Sequence, residues 1–525
     1  MRRFNVTGPC IPEEDYMVDI SGKILRIRQL IDRRCYFTIN KARQYGKTTT
    51  LATLERAVQD EYAVASISFS AVGDKSFESE EAFCEMFTGL IQEALQFSKT
   101  EESYANQWTD DKVTSFLLLN RHIRKMCRDK KLILMIDEVD NASNNRIFVQ
   151  FLNILREKYI ARRNGRDYTF YSVILAGVYD IRNIKLKMIN EGKYTPVEKE
   201  TKIYNSPWNI AADFTVDMSF NPEEIGTMLK EYEAEHNTGM NISAISEEIY
   251  SYTSGYPFMV SRICRYIDET PGKDCWTVAA VQNAVKMFLA EKNVLFDDLL
   301  KNLENNKDLY DLIYDVLITG TSRIFSFGNP TIDIGYIYGI IESDKQFNRV
   351  AISNRIYEIR LADYFISKDE ASQNKKTANI LQRDVVRDGE FDMELCLRKF
   401  ADHYGEIYNK TDKDFLERHG RLLFLSYLKP LINGQGFYHI ESQLTDLRRM
   451  DIVVDFGRQQ FIIELKLWNG QAYQAEAYKQ LCGYLKSKHA EMGYLLTFDF
   501  RGEGNKERKA EWIEVDGKRI FDVMV

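Results

Sequence analysis

The sequence predicts an α/β protein. An open parallel sheet with crossover helices comes first, helical segments follow, and a second, smaller α/β domain ends the chain. Three observations predict it. Apolar runs of strand length alternate with helix-length segments between residues 34 and 178, the pattern of a parallel sheet. Gly46-Lys47-Thr48 stands between the first run and the first helix-length segment. A strand–turn–strand pattern with one apolar and one charged face spans 450–468.

At 525 residues the chain exceeds a single core, and about 150 residues per domain suggests three or four domains. The basic start MRRF is followed by no apolar segment, so it is not a signal peptide. No apolar run approaches the ~20 residues that span a bilayer. The eight cysteines are scattered without a CxxC pair, and the six histidines do not cluster with them. That argues against a zinc site or a disulfide framework. A reduced, cytoplasmic protein with no membrane contact is expected. The net charge of −8 excludes a globally basic nucleic-acid binder but allows a local basic patch.

The first element is RCYFTIN, 34–40, a short apolar run suited to a buried strand. TTTLATLERAVQ, 48–59, places Leu51, Leu54 and Val58 at helical spacing. Strand, tight loop and helix are what a phosphate-binding loop requires. Backbone N–H groups at the helix start then face the phosphates, aided by the helix dipole. Gln44, Tyr45, Gly46, Lys47, Thr48 and Thr49 are the expected nucleotide-binding residues. Lys47 would reach the β- and γ-phosphates, and Thr48 would ligate Mg²⁺. The pattern G-x-x-x-x-G-K-[ST] departs at its first position, where Lys41 replaces glycine.

KLILMIDEVD, 131–140, reads as a fully buried strand ending in acid. Asp137 is the expected Mg²⁺ ligand and Glu138 the group that polarises the attacking water. YAVASISFS, 62–70, and YTFYSVILAGV, 168–178, complete the sheet. Asn221 before Pro222 and Glu223 starts a helix. Segments from there to about residue 300 read as a helical lid. Residues 367–390 are polar over their first half and read as a linker. The basic runs at 121–131 and 156–166 read as solvated helix faces, with Arg162 or Arg163 as a candidate to complete a neighbour's ATP site.

KARQYGKTTTL, LILMIDEVD and VILAGVYDIRN resemble the AAA-like, STAND-type ATPases of bacteria. The resemblance implies ATP binding and hydrolysis, tolerance of a basic residue at position 41, and a homo-oligomer. It implies that Gly255 and Pro257 in SGYPFMVSRIC bring the lid to the nucleotide. Residues 301–370 look like a winged-helix module, which either packs against its neighbour or binds DNA; the acidic chain without a recognition stripe favours packing.

In MDIVVDFGRQQFIIELKLW, 450–468, Gly457-Arg458 suits a type II′ turn. That turn sets Asp451 opposite Glu464. One face carries Ile452, Val454, Phe456, Phe461, Ile463, Leu465 and Leu467; the other carries Asp451, Asp455, Gln460, Glu464 and Lys466. A hairpin that buries the first face presents two carboxylates and a lysine on the second. Carboxylates ~5 Å apart repel, and a divalent cation between them relieves this. Oxygen ligands with open water positions suit Mg²⁺ or Mn²⁺. Such an ion activates water against a phosphodiester, and Lys466 would orient that water. E-x-K triplets also occur at Glu191/Lys193, Glu200/Lys202 and Glu507/Lys509, so position on the hairpin distinguishes this one.

The stretch resembles the PD-(D/E)xK nuclease superfamily, with Asp451, Glu464 and Lys466 as its signature residues and Met450 in place of the usual proline. AEAYKQLCGYLK is similar to the Q-x-x-x-Y helix of the RecB-like branch, which implies Gln480 and Tyr484 as further site residues, and Glu441 is a further candidate metal ligand. The expected organisation is an ATP-binding core (1–220), a helical lid (221–300), a winged-helix-like module (301–370), a linker (371–390) and a PD-(D/E)xK nuclease-like α/β domain (391–525). The expected function is ATP-dependent cleavage of DNA or RNA, in defence against foreign nucleic acid. The alternative is a nucleotide-dependent assembly switch whose nuclease-like domain only binds nucleic acid or a partner.

Overall fold

The computed structural model describes residues 2–96, 112–142, 146–178, 208–270, 276–319, 321, 323–344, 348–373, 385–408, 413–432, 436–442, 450–468, 470–499 and 509–525. The chain divides into two compact units. The first is Met1–Ala284 with Ile337–Gly339; the second is Val285–Tyr336 with Ile340–Val525.

The first unit is built on β1 (Tyr36–Asn40), β2 (Ala63–Ser68), β3 (Leu132–Asp137) and β4 (Ser172–Gly177), all parallel, in the order β1-β4-β3-β2. β3 and β4 are buried at every position, as strands covered on both faces must be. One face packs Leu134, Ile136, Val173 and Leu175 against Phe83 and Phe87 of α3 (Glu80–Gln96), Leu119 and Ile123 of α4 (Phe116–Met126), and Phe148 and Phe151 of α5 (Arg146–Arg163). The other packs Ile133, Met135 and Ile174 against Ile24, Ile27 and Ile31 of α1 (Ser21–Asp32) and Leu51, Leu54 and Val58 of α2 (Lys47–Val58). The four apolar runs all form strands. β4 starts four residues later than the run at 168, because its neighbours supply partners only from Tyr36 and Ile133 onward. An isolated parallel bridge from Phe37 to Ala212 flanks β1 on its other side.

The helical segment after the sheet opens with α6 (Pro222–His236), where Asn221 and Glu224 form a reciprocal capping box ahead of an N1 proline. α7 (Ile242–Thr253) and α8 (Pro257–Asp268) follow. The run at 156–166 is not simply a solvated face. Lys158 is buried and paired with Asp167 at 2.8 Å. Arg162 donates to the backbone carbonyls of Phe170, Tyr171 and Arg34. These contacts hold the Arg162 guanidinium within its own unit.

The second unit takes in α9's last turns (helix Val278–Ala290), α10 (Val294–Glu304), α11 (Lys307–Tyr314), α12 (Pro330–Ile337), the antiparallel pair β5 (Ile341–Ser343) and β6 (Val350–Ile352), and α13 (Arg355–Gln373). The linker expected at 371–390 falls largely on residues outside the description; a two-stranded piece, β7 (Val386–Arg387) and β8 (Glu390–Phe391), follows it. A six-stranded sheet comes next, ordered β13-β14-β12-β11-β10-β9. Its strands are β9 (Gly436–Ser442), β10 (Met450–Phe456), β11 (Gln459–Leu467), β12 (Met492–Phe498), β13 (Lys509–Val515) and β14 (Lys518–Met524). β9, β10 and β11 form an antiparallel meander, and β11, β12 and β14 run parallel. Phe391, α14 (Met393–Tyr408) and α15 (Lys413–Ile432) cover one face through ring contacts such as Phe400–Phe498 and Phe391–Phe461.

Helix α16 (Gln471–Ser487) covers the other face. This corrects the hairpin reading. Val453 and Ile462 share the face of Asp451 and Glu464, and they pack against Ala477, Leu481 and Leu485 of α16. The part of this face that carries Glu464 and Lys466 is therefore roofed, while Gln460 near the turn stays exposed. α13 stands at the β9 end of the sheet, where Arg355 pairs with Asp455 at 3.3 Å and Asp363 accepts from Tyr438 at 3.1 Å.

Candidate functional site

The phosphate loop lies between β1 and α2. Gln44 (φ 57°) and Gly46 (φ 74°) are both left-handed. Residues in that conformation turn successive N–H groups toward one concavity that suits an anion. Gly46 is needed for this conformation and not for space, since a Cβ there would meet only Pro257 at 3.8 Å. Lys41 is not among the left-handed residues. Its N–H donates to Gly177 O at 3.1 Å, and its ammonium lies 5.5 Å from the Tyr45 ring. Nothing at that position calls for glycine.

Lys47 is buried, and its Nζ donates to the carbonyls of Lys41 and Ala42, each at 2.9 Å. Burial holds its pKa below the usual lysine value, against the pull of Asp140, Glu138 and Asp137. Thr48 Oγ1 donates to Asp137 Oδ2 at 2.6 Å. The hydroxyl and the carboxylate thus converge on one point, the geometry by which a loop threonine and a strand-end aspartate share a Mg²⁺ ion. Glu138, just after β3, is in a left-handed conformation (φ 54°), uncommon for a residue with a Cβ. Burial first, and then the charge of Asp137, push its carboxyl pKa up.

Of the residues around the expected Gly255 and Pro257, Tyr256 and Pro257 meet the loop, while Gly255 packs against Phe220. Gly255 (φ 73°) is obligatory, because a Cβ would lie 1.8 Å from Phe220 O. Pro257 sits against Gly46, Tyr256 donates to Arg43 O at 2.5 Å, and Tyr45 meets the Tyr256 ring edge-on at 4.5 Å.

In the second unit the hairpin register is Asp451↔Glu464, with Gly457 alone of the two turn residues at positive φ. The neighbouring register adds Glu441↔Asp451. Three acidic positions therefore stand side by side on three adjacent strands. Like charges placed this way destabilise a sheet unless a cation joins them. Glu464 is 2% exposed and Lys466 5%, and the two form an ion pair at 2.6 Å. The side chains of Glu441 and Asp451 lie outside the described residues. Among the described residues no group of three or more His, Cys, Asp or Glu is placed to hold a metal ion.

Residues 23–324, more than half of the chain, match the family described as AAA-like domain. The chain belongs to this AAA-like family. Residues 437–509 of the AAA-like protein match the PD-(D/E)XK nuclease superfamily. Domains of these two kinds generally use ATP and divalent metal ions. Among solved structures, the Walker-type ATPase PABY2304 of Pyrococcus abyssi is similar at 13% identity and a TM-score of 0.45, over 68% of this chain and 99% of that one. The ORC2 protein of Aeropyrum pernix, in its ADPNP–ADP complexes, is similar at 12% identity and a TM-score of 0.36, over 70% of this chain and 97% of that one. No curated protein matches. No helix among the described residues is long and apolar enough to cross a membrane.

Of the two residues expected on α16, Gln480 donates to Glu476 at 3.2 Å and keeps a buried Oε1. Tyr484 belongs to the apolar cluster beneath the helix. A second Q-x-x-x-Y, Gln474 and Tyr478, lies six residues earlier and was passed over in sequence. Both side chains reach Asp522, which is fully buried: Tyr478 donates at 2.6 Å, Gln474 at 3.2 Å, and Lys509 pairs at 3.3 Å. Donation to Asp522, after burial itself, pushes the Tyr478 pKa up. Asp140 was also passed over. It accepts from Val178 N at 2.5 Å and holds the end of β4 beside the loop. Its only sequence signal is a third acidic residue after Asp137-Glu138.

Proposed function

We propose that this AAA-like protein binds and hydrolyses ATP and uses its nucleotide state to control metal-dependent cleavage of DNA or RNA by its C-terminal domain. In the first unit Gln44, Tyr45, Gly46 and Thr49 shape the phosphate cradle. Lys47 leaves the two loop carbonyls for the β- and γ-phosphates, Thr48 and Asp137 hold Mg²⁺, and Glu138 orients the attacking water. Gly255 and Pro257 close the lid on the loop.

In the second unit Asp451 and Glu464, with Glu441, hold Mg²⁺ or Mn²⁺. The bound ion supplies a polarised phosphodiester and a more acidic water. Lys466 keeps a proton donor beside the developing phosphoryl charge, and Gln480 supplies an acceptor on the same face. The observation that carries the reading is the buried Glu464–Lys466 pair standing in register with Asp451. A carboxylate row roofed by a helix is costly to maintain without a cation to bind.

The test is nicking of supercoiled plasmid and of single-stranded RNA by the full chain, with Mg²⁺ or Mn²⁺, with and without ATP. Cutting that needs metal, responds to ATP and is lost in Glu464→Gln supports the proposal. Nucleic-acid binding without cutting under every metal and nucleotide condition overturns it in favour of an assembly switch.

A further inference from the structure

The nuclease-like face holds a polar atom that the proposed chemistry has not yet used. Thr497 lies on β12 in register with Lys466 of β11, so the two side chains stand on the same face of adjacent strands. Such strands are about 4.8 Å apart, well within the reach of a lysine side chain. Thr497 is 2% exposed, and its hydroxyl has no hydrogen-bond partner among the described residues. The Oε1 of Gln480, on the helix that roofs this face, is likewise buried without one. Unpartnered buried oxygens are rare and costly. An unpartnered buried hydroxyl in register with a buried ion pair marks a place built for a second arrangement of the same groups.

We infer that Thr497 is a positioning residue for Lys466. The inference rests on the reading of the second unit as a metal-dependent nuclease. In the structure Lys466 pairs with Glu464 Oε1 at 2.6 Å. A cation bound at that oxygen competes with the lysine for its lone pairs. A further acceptor on the same face then keeps the ammonium beside the carboxylate row. The Thr497 hydroxyl is the acceptor in register with it. The threonine touches no reacting atom; it sets where the ammonium points once Glu464 is engaged.

The experiment compares full-length wild type, Thr497→Val and Thr497→Ser in two measurements. The first is thermal melting in EDTA, read by amide exchange across β11 and β12. Valine removes an unpartnered buried hydroxyl at nearly constant shape, so Thr497→Val is expected to melt no lower than wild type and a few degrees higher. The second is the rate of plasmid nicking at saturating Mg²⁺ or Mn²⁺. Thr497→Val is expected to lose about 10- to 100-fold, as for other groups that orient a site residue, with unchanged half-saturation by the metal, and Thr497→Ser to recover most of it. A Thr497→Val enzyme that cuts at the wild-type rate overturns the inference and leaves the nuclease reading intact. A lower melting temperature in EDTA also overturns it, because the hydroxyl then has a structural partner. A wild type that never cuts overturns the nuclease reading, and this inference with it.

Discussion

Replacing Lys466 by methionine isolates the electrostatics of the second unit. Glu464 and Lys466 are both nearly inaccessible and stand 2.6 Å apart. Methionine keeps the volume of the lysine stem and deletes the charge, which leaves a buried carboxylate beside the row that contains Asp451 and Glu441. Breaking a buried pair from one side costs about 3–5 kcal/mol. For a unit of this size that corresponds to a melting shift of roughly 10 °C. A metal held by the same carboxylates offsets the loss. At 100-fold excess over its dissociation constant, a ligand that binds only the folded state adds about 2.7 kcal/mol. Lys466→Met should gain at least that much, because Glu464 has lost its ion-pair partner. The assay is melting in EDTA and in a Mg²⁺ or Mn²⁺ series, read by amide exchange over 450–467 so that the two units are not confused. Glu464→Gln with Lys466→Met should recover most of the stability and bind metal poorly. A single Lys466→Met that melts with wild type in EDTA, and gains no more from metal, refutes the reasoning.

Other outcomes follow from the same structure. Lys47→Ala should abolish nucleotide binding measured by titration, while Glu138→Gln should bind ATP and hydrolyse it slowly; equal affinity of Lys47→Ala and wild type would remove the ATP site. Glu138 has a raised folded pKa, so the folded state holds its proton more tightly than the unfolded state. Its contribution therefore makes the first unit more stable as pH falls from neutrality toward the ordinary glutamate range, and Glu138→Gln should flatten that part of a melting-temperature profile against pH. Gly255→Ala puts a Cβ 1.8 Å from Phe220 O at a positive φ, so the lid must shift, lowering both melting temperature and ATP affinity. Residues 285–525 should purify as a folded fragment and 391–525 should not, because Arg355–Asp455, Lys429–Asp363 and the Arg421–Ile318 carbonyl bond tie the sheet and α15 to the preceding helices; circular dichroism melts of the two fragments check it.

The sequence by itself determined what depends on near neighbours in the chain. A glycine and a lysine between a strand and a helix specify a phosphate loop, because the backbone geometry that faces an anion is set within a few residues. The Asn221-Pro222-Glu223-Glu224 start became a capping box for the same reason. The period of two, with a two-residue turn at Gly457-Arg458, placed Asp451 opposite Glu464 without any tertiary information. Only the tertiary structure decided what covers these elements. Val453 and Ile462 alternate in step with the carboxylates, so the face could be judged buried only once α16 was seen to pack on it. Asp522 sits far along the chain from Tyr478, and no spacing rule connects a last-strand aspartate to a helix tyrosine. Pro257 against Gly46, and Arg162 spent on three carbonyls, are likewise contacts between distant segments. Their energies come from burial and from satisfying polar groups at that burial. Neither quantity exists until the chain has folded, so local pattern carries no trace of them.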